Sequence, residues 1–184
     1  MLDEQLQEDA ALHASGAMAR EEREEFELLL HFHPELQKLA RGLHETVAAM
    51  AIDAAPGATP SPGLKARVLA AVEGRAQQTQ SEAIVVAGPD ALVEWVSPEF
   101  TAMCGYTLEE LRGKKLGPIL QGELTDRTAA GRLRAAVQAP RRCTETLINY
   151  RKNGSAYRVT IALTPIFKSD GALRCYVARE AIAA

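Results

Sequence analysis

The sequence predicts an α+β protein: a small N-terminal segment of three to four helices, then a five-stranded antiparallel sheet with helices crossing one face. Three observations lead there. Apolar residues recur at three-to-four-residue intervals through the first 80 positions, the period of a helix face. From Ser81 onward, β-branched runs bounded by Gly, Pro, Asn and Asp replace that rhythm. The charge changes sign at the same place, with 7 Lys and Arg against 13 Asp and Glu in residues 1–80, and 14 against 11 in residues 81–184. The division read from this is a helical domain over 1–54, a linker and connecting helix over 55–80, and a second domain over 81–184.

A first helix opens on the acidic pair Asp3-Glu4 and carries Leu6, Ala10, Ala11, Leu12 and Met18 toward a break near Gly16. A second runs from about Ala19 to His31, its carboxylates clustered where they favour the helix dipole, with Phe26, Leu29 and Leu30 as an apolar stripe. Pro34 suits the first turn of a third, which places Leu36, Leu39, Leu43, Val47 and Met50 on one face and stops near Ala54. The run Ala55 to Gly63 holds three prolines and reads as a linker, after which Leu64, Val68, Leu69 and Val72 mark a fourth helix over about 63–80. So small a helical set makes a thin core, so a partner is expected to cover its apolar faces.

In the second domain, Ala83–Ala87 and Leu92–Val96 flank the turn Gly88-Pro89-Asp90 and form a hairpin. Three helices follow: one capped by Ser97-Pro98, one opening on the capping box at Thr107, and a longer one over Thr125–Gln138 with Leu133, Ala136 and Val137 inward. Strands at about Cys143–Tyr150, Ala156–Phe167 and Leu173–Ala181 close the chain, joined by turns at Asn153-Gly154 and Asp170-Gly171.

A 47% hydrophobic and 24% charged composition is that of a globular protein. No run approaches the roughly 18 apolar residues a membrane helix needs, and Met1 to Asp9 are acidic, so a cytoplasmic protein off the membrane is expected. Cys104, Cys143 and Cys175 are odd in number, widely spaced, and read as reduced thiols. An acidic helical segment favours a basic protein partner over nucleic acid. No catalytic constellation is read.

The second domain resembles a PAS domain. The residues that carry the likeness are Glu94 to Phe100, Cys104 to Leu111, Gly113-Lys114, Leu120-Gln121-Gly122 with Thr125-Asp126, Leu147 to Gly154, and Asp170-Gly171. It covers about residues 82–181. The Leu-Gln-Gly and Asn-Tyr-Arg-Lys-Asn-Gly runs are nearest to the light-oxygen-voltage (LOV) branch, whose members hold a flavin between sheet and helices. That resemblance implies flavin-contacting positions at Gln121 and Asn149 and a phosphate-pairing one at Arg134, with Glu180 where the branch has a strand glutamine and Val159 where it has a second asparagine. Valine offers no donor, and a carboxylate offers no N–H. The expectation is therefore a ligand pocket at Gln121, Arg134, Asn149 and Glu180 with no cofactor. Flavin mononucleotide is the first candidate against that expectation. Haem stands behind it, because no histidine follows His44 and ligation would fall to Cys104 or Cys143. The position of the photoactive cysteine, three before Leu120, is Gly117, so no thiol–flavin adduct can form there.

The first segment resembles the N-terminal domain of anti-sigma factors that restrain extracytoplasmic-function sigma factors. The likeness rests on Ala11 to Met18, Glu21-Glu22-Arg23 with Phe26-Glu27, Pro34-Glu35 and Pro62 to Val72. The zinc-ligand positions of some members are Leu29, His33 and Leu36 here; two are carbon side chains, so no metal site is expected. His31 and His33 are read as surface residues. The implied function is that of a regulator of transcription, not an enzyme. In it Leu29, Leu30, Leu36, Leu39 and Leu43 bury against a sigma factor, and Glu21 and Glu22 face its basic surface. The alternatives are a LOV-like flavin-binding sensor, or a PAS dimerisation module without a sigma partner; a homodimer through either segment is expected.

Overall fold

Asp3 stands in extended backbone and accepts a hydrogen bond from the Leu6 N–H at 2.9 Å, satisfying one of the donors that a helix start leaves over. The computed structural model describes residues 2–54, 61, 63–70 and 83–183. Most of the linker and the second half of the fourth helix read from the sequence lie outside the described residues. The chain divides into two compact units, Met1–Gln78 and Thr79–Ala184.

In the first unit, α1 spans Glu4–Ser15 and ends on Gly16, whose φ of 73° is the left-handed value that only glycine adopts freely. Helix α2 covers Arg20–Leu30. Its preceding residue, Ala19, has no side-chain acceptor, so only the reverse half of a capping box forms: the Ala19 N–H donates to Glu22 Oε2 at 3.3 Å. Helix α3 runs Pro34–Ala54, and residues 64–70 form a helical stretch, α4. Leu6, Ala10, Ala14 and Met18 return every four residues and are buried with Phe26, Leu29, Leu36 and Ala40. Each of the larger side chains stabilises the unit by about 1.5–3 kcal/mol.

This closed core corrects the partner surface read from the sequence. Leu36 and Leu29 are 0% and 4% exposed, so both are taken up inside the unit and neither meets a partner while it stays folded. Leu30, Leu39 and Leu43 are half-buried, and Glu21 and Glu22 are exposed. The stripe on α3 leaves the core as it proceeds, with Val47, Met50 and Ile52 at 37%, 66% and 74% exposure; Leu12, assigned to the stripe of α1, is exposed as well.

In the second unit, β1 (Ala83–Ala87) and β2 (Val93–Val96) form the hairpin. Helices α5 (Pro98–Cys104), α6 (Leu108–Leu111), α7 (Gly117–Leu120) and α8 (Arg127–Gln138) follow, then β3 (Cys143–Tyr150), β4 (Ala156–Phe167) and β5 (Leu173–Ile182). Helix α7 was not foreseen. It is one turn long and begins at Gly-Pro, residues that read as loop in a sequence but that suit a first helical turn. Helix α8 starts two residues later than read, because the Asp126 carboxylate caps it by accepting from the Thr128 and Ala129 N–H groups.

All strand pairs are antiparallel in the order β2-β1-β5-β4-β3, so the last strand in sequence lies at the centre. Ser97 accepts from the Phe100 N–H and from the Ile84 N–H, tying the α5 start to β1. Phe100, Cys104, Leu111 and Leu120 pack with Val93, Val96 and Val159 into the core on the helix side.

His13 of α1 lies beside Phe26 of α2 (centroids 4.9 Å) and His44 of α3 (5.2 Å), with Glu27 Oε1 3.8 Å from its Nε2. Burial chiefly, and His44 next, hold its pKa below the usual value, while Glu27 opposes them. The folded unit therefore binds fewer protons at His13 than the unfolded chain does. Its stabilising contribution is present above a pH of about 6.5 and is lost as the pH falls below it. Amide protection factors of α1–α3 in the full chain, with the intrinsic pH dependence of exchange divided out, should fall on moving from pH ~7.5 to pH ~5.5, and a His13→Gln variant should flatten that dependence; an equally steep profile in the variant would exclude His13 as the cause.

Candidate functional site

Between the helices and the sheet of the second unit lies a cavity of about 600 Å³. The strand period of two puts alternate residues on its wall: Val85 and Ala87 from β1, Tyr176, Ala178 and Glu180 from β5, Ile161 and Leu163 from β4, and Asn149 from β3. The opposite wall comes from Leu116, Gly117, Leu120 and Gln121 around α7 and from Ala130, Leu133 and Arg134 on α8.

Contacts at the middle and at the C-terminal end of α8 hold this wall off the sheet. Arg132 grips Glu145 of β3 with two nitrogens, Nη2 to Oε2 at 2.7 Å, and the pair raises the pKa of Arg132 and lowers that of Glu145. Near the C-terminal end the Tyr176 hydroxyl donates to the Val137 carbonyl at 2.6 Å. Beside α7, the Gly122 N–H donates to Thr125 Oγ1, which donates in turn to the Ile148 carbonyl, and the Leu124 N–H donates to the Tyr150 hydroxyl at 2.9 Å. Gly122 is required here for space: a Cβ would sit 2.5 Å from the Tyr150 ring.

All four ligand-pocket residues named from the sequence, Gln121, Arg134, Asn149 and Glu180, line this one cavity. They fall into two groups. Asn149 and Glu180 are buried, at 3% and 2% exposure, and form the inner end. Arg134 is exposed and shares the solvent side with Lys115 and Arg127, two cations that sequence reading did not single out. Gln121 lies between, its side-chain amide beside Gly117, where a Cβ would find ordinary contacts of 3.6–3.7 Å. Lys115 and Arg127 could not be found from the chain alone, because one precedes α7 and the other opens α8, and only the fold brings them to one rim.

Glu180 is the site's unusual group. Its Oε2 is buried without a hydrogen-bond partner, and burial pushes its pKa up to about 8. The Tyr157 hydroxyl, also buried and beside the Asn149 side chain, is pushed up by burial and by the nearby Glu180 and Cys104. Two deductions made against flavin from the sequence change accordingly. Val159 is fully buried in the core cluster and does not line the cavity, so its lack of a donor leaves no gap in the wall. Glu180 keeps its proton at neutral pH, and a neutral carboxylic acid has an O–H to give. Cys104 and Cys143 do not line the cavity either; Cys104 is buried in the core with its thiol pKa raised by burial, so the thiol ligation considered for haem has no support.

An α+β unit with a five-stranded antiparallel sheet and a ligand-sized cavity between sheet and helices has the frame of a small-molecule-binding domain. The profile of the PAS domain family matches residues 81–178, and the chain belongs to that family. Among its relatives are a LOV protein and blue-light-activated histidine kinases. It is 34% identical over 87 residues to Protein TWIN LOV 1 of Arabidopsis thaliana, covering 47% of this chain and 22% of that one. It is 34% identical over 88 residues to blue-light-activated histidine kinase 1 of Erythrobacter litoralis, covering 48% and 24%. Among solved structures, a light-oxygen-voltage domain studied with a flavin analogue superposes with a TM-score of 0.54 at 25% identity, over 61% of this chain and 85% of that one. The chain thus spans under a quarter of these two relatives' length. Among the described residues no helix is long and apolar enough to cross a membrane, and no cluster of three or more metal-ligating side chains occurs.

The contact at Gly122 can be tested directly. Gly122→Ala should destabilise the second unit by about 1–3 kcal/mol, read from the denaturation midpoint of the full chain. In a Tyr150→Ala background that extra cost should vanish; a cost unchanged by removing the ring would assign it elsewhere.

Proposed function

We propose that the second unit is a LOV-type sensor domain that binds a flavin, with flavin mononucleotide the ligand class that its cavity suits. The observation that carries this is the polarity of the cavity: buried Asn149 and Glu180 at the inner end, apolar walls between, and Lys115, Arg127 and Arg134 at the solvent side. A flat, largely apolar ring with hydrogen-bonding groups at one edge and an anionic tail at the other meets each part with its complement. The volume of about 600 Å³ lies within the range of small-molecule sites. A bound flavin would supply blue-light absorption and electron-transfer chemistry. The chain's residues do the rest. Ala87 and Ala178 leave room for a ring to lie flat on the sheet, Asn149 and Glu180 orient its inner edge, and the rim cations neutralise the tail. With Gly117 in the thiol position, light-driven change in this chain runs through reduction rather than a cysteine bond.

Purified full-length protein mixed with flavin mononucleotide should retain a yellow chromophore through gel filtration. Blue light should bleach it only when a reductant is present. Gly117→Cys, whose new side chain has room beside Gln121, should instead bleach reversibly to a single near-ultraviolet band; no flavin retained by either protein would defeat this reading.

For the helical unit we propose a protein-binding output, with a sigma factor of the extracytoplasmic-function type as the partner that its resemblance implies. Exposure of Val47, Met50 and Ile52 on one helix end supports a protein contact there, in place of Leu29 and Leu36. Co-expression of the full chain with such factors should give a retained complex. Met50→Glu with Ile52→Glu should abolish it while leaving the helical content unchanged; retention in that variant would move the contact elsewhere.

A further inference from the structure

Glu180 occupies the point in the second unit where a negative charge is hardest to hold. It lies on the central strand, paired with Ala83 on one side and Ile161 on the other, so both lateral neighbours are apolar. It is 2% exposed, and Oε2 reaches the cavity wall without a partner. A buried polar atom with unmet hydrogen-bonding capacity at a cavity wall marks a place that a ligand completes. The groups facing it from the packed elements are Tyr157 of β4, Cys104 of α5, Asn149 of β3 and Gln121 after α7. The first two are acids whose own pKa values are raised, so both are neutral at neutral pH, and the last two carry no charge. Among the described residues no Lys, Arg or His is paired with Glu180; the three cations stand at the solvent side.

We propose that Glu180 acts as a neutral carboxylic acid whose O–H donates to an acceptor on the inner edge of the bound ligand, and that ionisation of this acid at alkaline pH releases the ligand. The inference rests on the flavin reading of the same cavity and goes further, by making retention of the ligand depend on pH. An amide at this position donates at any pH, whereas a carboxyl donates only while protonated. Once ionised, it turns two lone pairs toward the acceptor it had served, in a place where water cannot intervene. The sign follows. In the free protein burial sets the pKa at about 8, and a ligand that accepts from the proton raises it further. Affinity is therefore level below that pH and declines above it, toward roughly tenfold per pH unit until the bound form also ionises.

The test uses the full chain and flavin mononucleotide, with affinity followed by flavin fluorescence from pH ~6.5 to ~9.5. Wild type should weaken about tenfold or more across that range, and Glu180→Gln should stay level, since it differs only in having nothing to titrate. The glutamine variant also cancels any titration of the flavin itself or of the rim lysine. A level wild-type profile with flavin retained would overturn this proposal and leave the flavin reading standing. Retention by neither protein at any pH would defeat the flavin reading, and this proposal with it. If Glu180→Gln does not fold, infrared spectra of flavin-loaded wild type decide the matter. Loss of a protonated-carboxyl carbonyl band in step with flavin release supports the proposal, and release with that band unchanged overturns it.

Discussion

The placement of β5 between β1 and β4 is the constraint on which the second unit depends. A strand at the centre of a sheet has no free edge, and the middle of its helix-facing side, from Tyr176 to Glu180, is largely removed from water. Tyr176 and Ala178 meet that condition easily. Glu180 meets it only by keeping its proton, and the character of the whole inner cavity follows from that single response to burial.

A cavity beside a close-packed core must be held open, since side chains otherwise interdigitate to fill such space. Here the work is divided. Small residues, Ala87, Ala130 and Ala178, leave the volume. The Arg132–Glu145 pair and the Tyr176–Val137 bond fix α8 at two points, while Gly122 against Tyr150 sets how closely the start of the α7–α8 connection approaches β3. Further along, Lys152 pairs with Glu110 and the Arg151 side chain donates to the Met103 carbonyl, fastening the β3–β4 turn to α5 and α6. The ion pairs on the exposed side give geometry more than stability, because solvent screens them. A ligand entering such a frame meets preformed walls, and its binding is decided by the few polar groups at either end.

The helical unit solves a different problem. Three buried residues of α1, Leu6, Ala10 and Ala14, and Met18 beyond its end keep a spacing of four and close against Phe26, Leu29, Leu36 and Ala40, so this small core closes without a partner. What stays uncovered among the described residues is the far half of α3, where Met50 and Ile52 are exposed. Affinity for another protein would then come from the end of a helix, not from the stripes that sequence periodicity makes most visible.

Local chemistry was legible in the sequence because it is written in short range. The caps at Asp3, Ser97 and Thr107, the stop at Gly16, the turn at Asn153-Gly154 and the alternation that set the strands each involve residues a few positions apart. The family motif also placed Gln121, Asn149, Arg134 and Glu180 in one pocket. Tertiary structure alone decided which of those groups are inside and in what state. A glutamate in a sequence is a charge; at the centre of a sheet between Ala83 and Ile161 it is a neutral acid. Val159 lost its importance for the same reason, since it shares the face of β4 that carries Ile161 and Leu163 but is packed into the core beside the cavity. Leu29 and Leu36 looked like a binding surface until packing enclosed them. Burial and protonation depend on neighbours that are distant in the chain, and periodicity carries no information about which neighbours those will be.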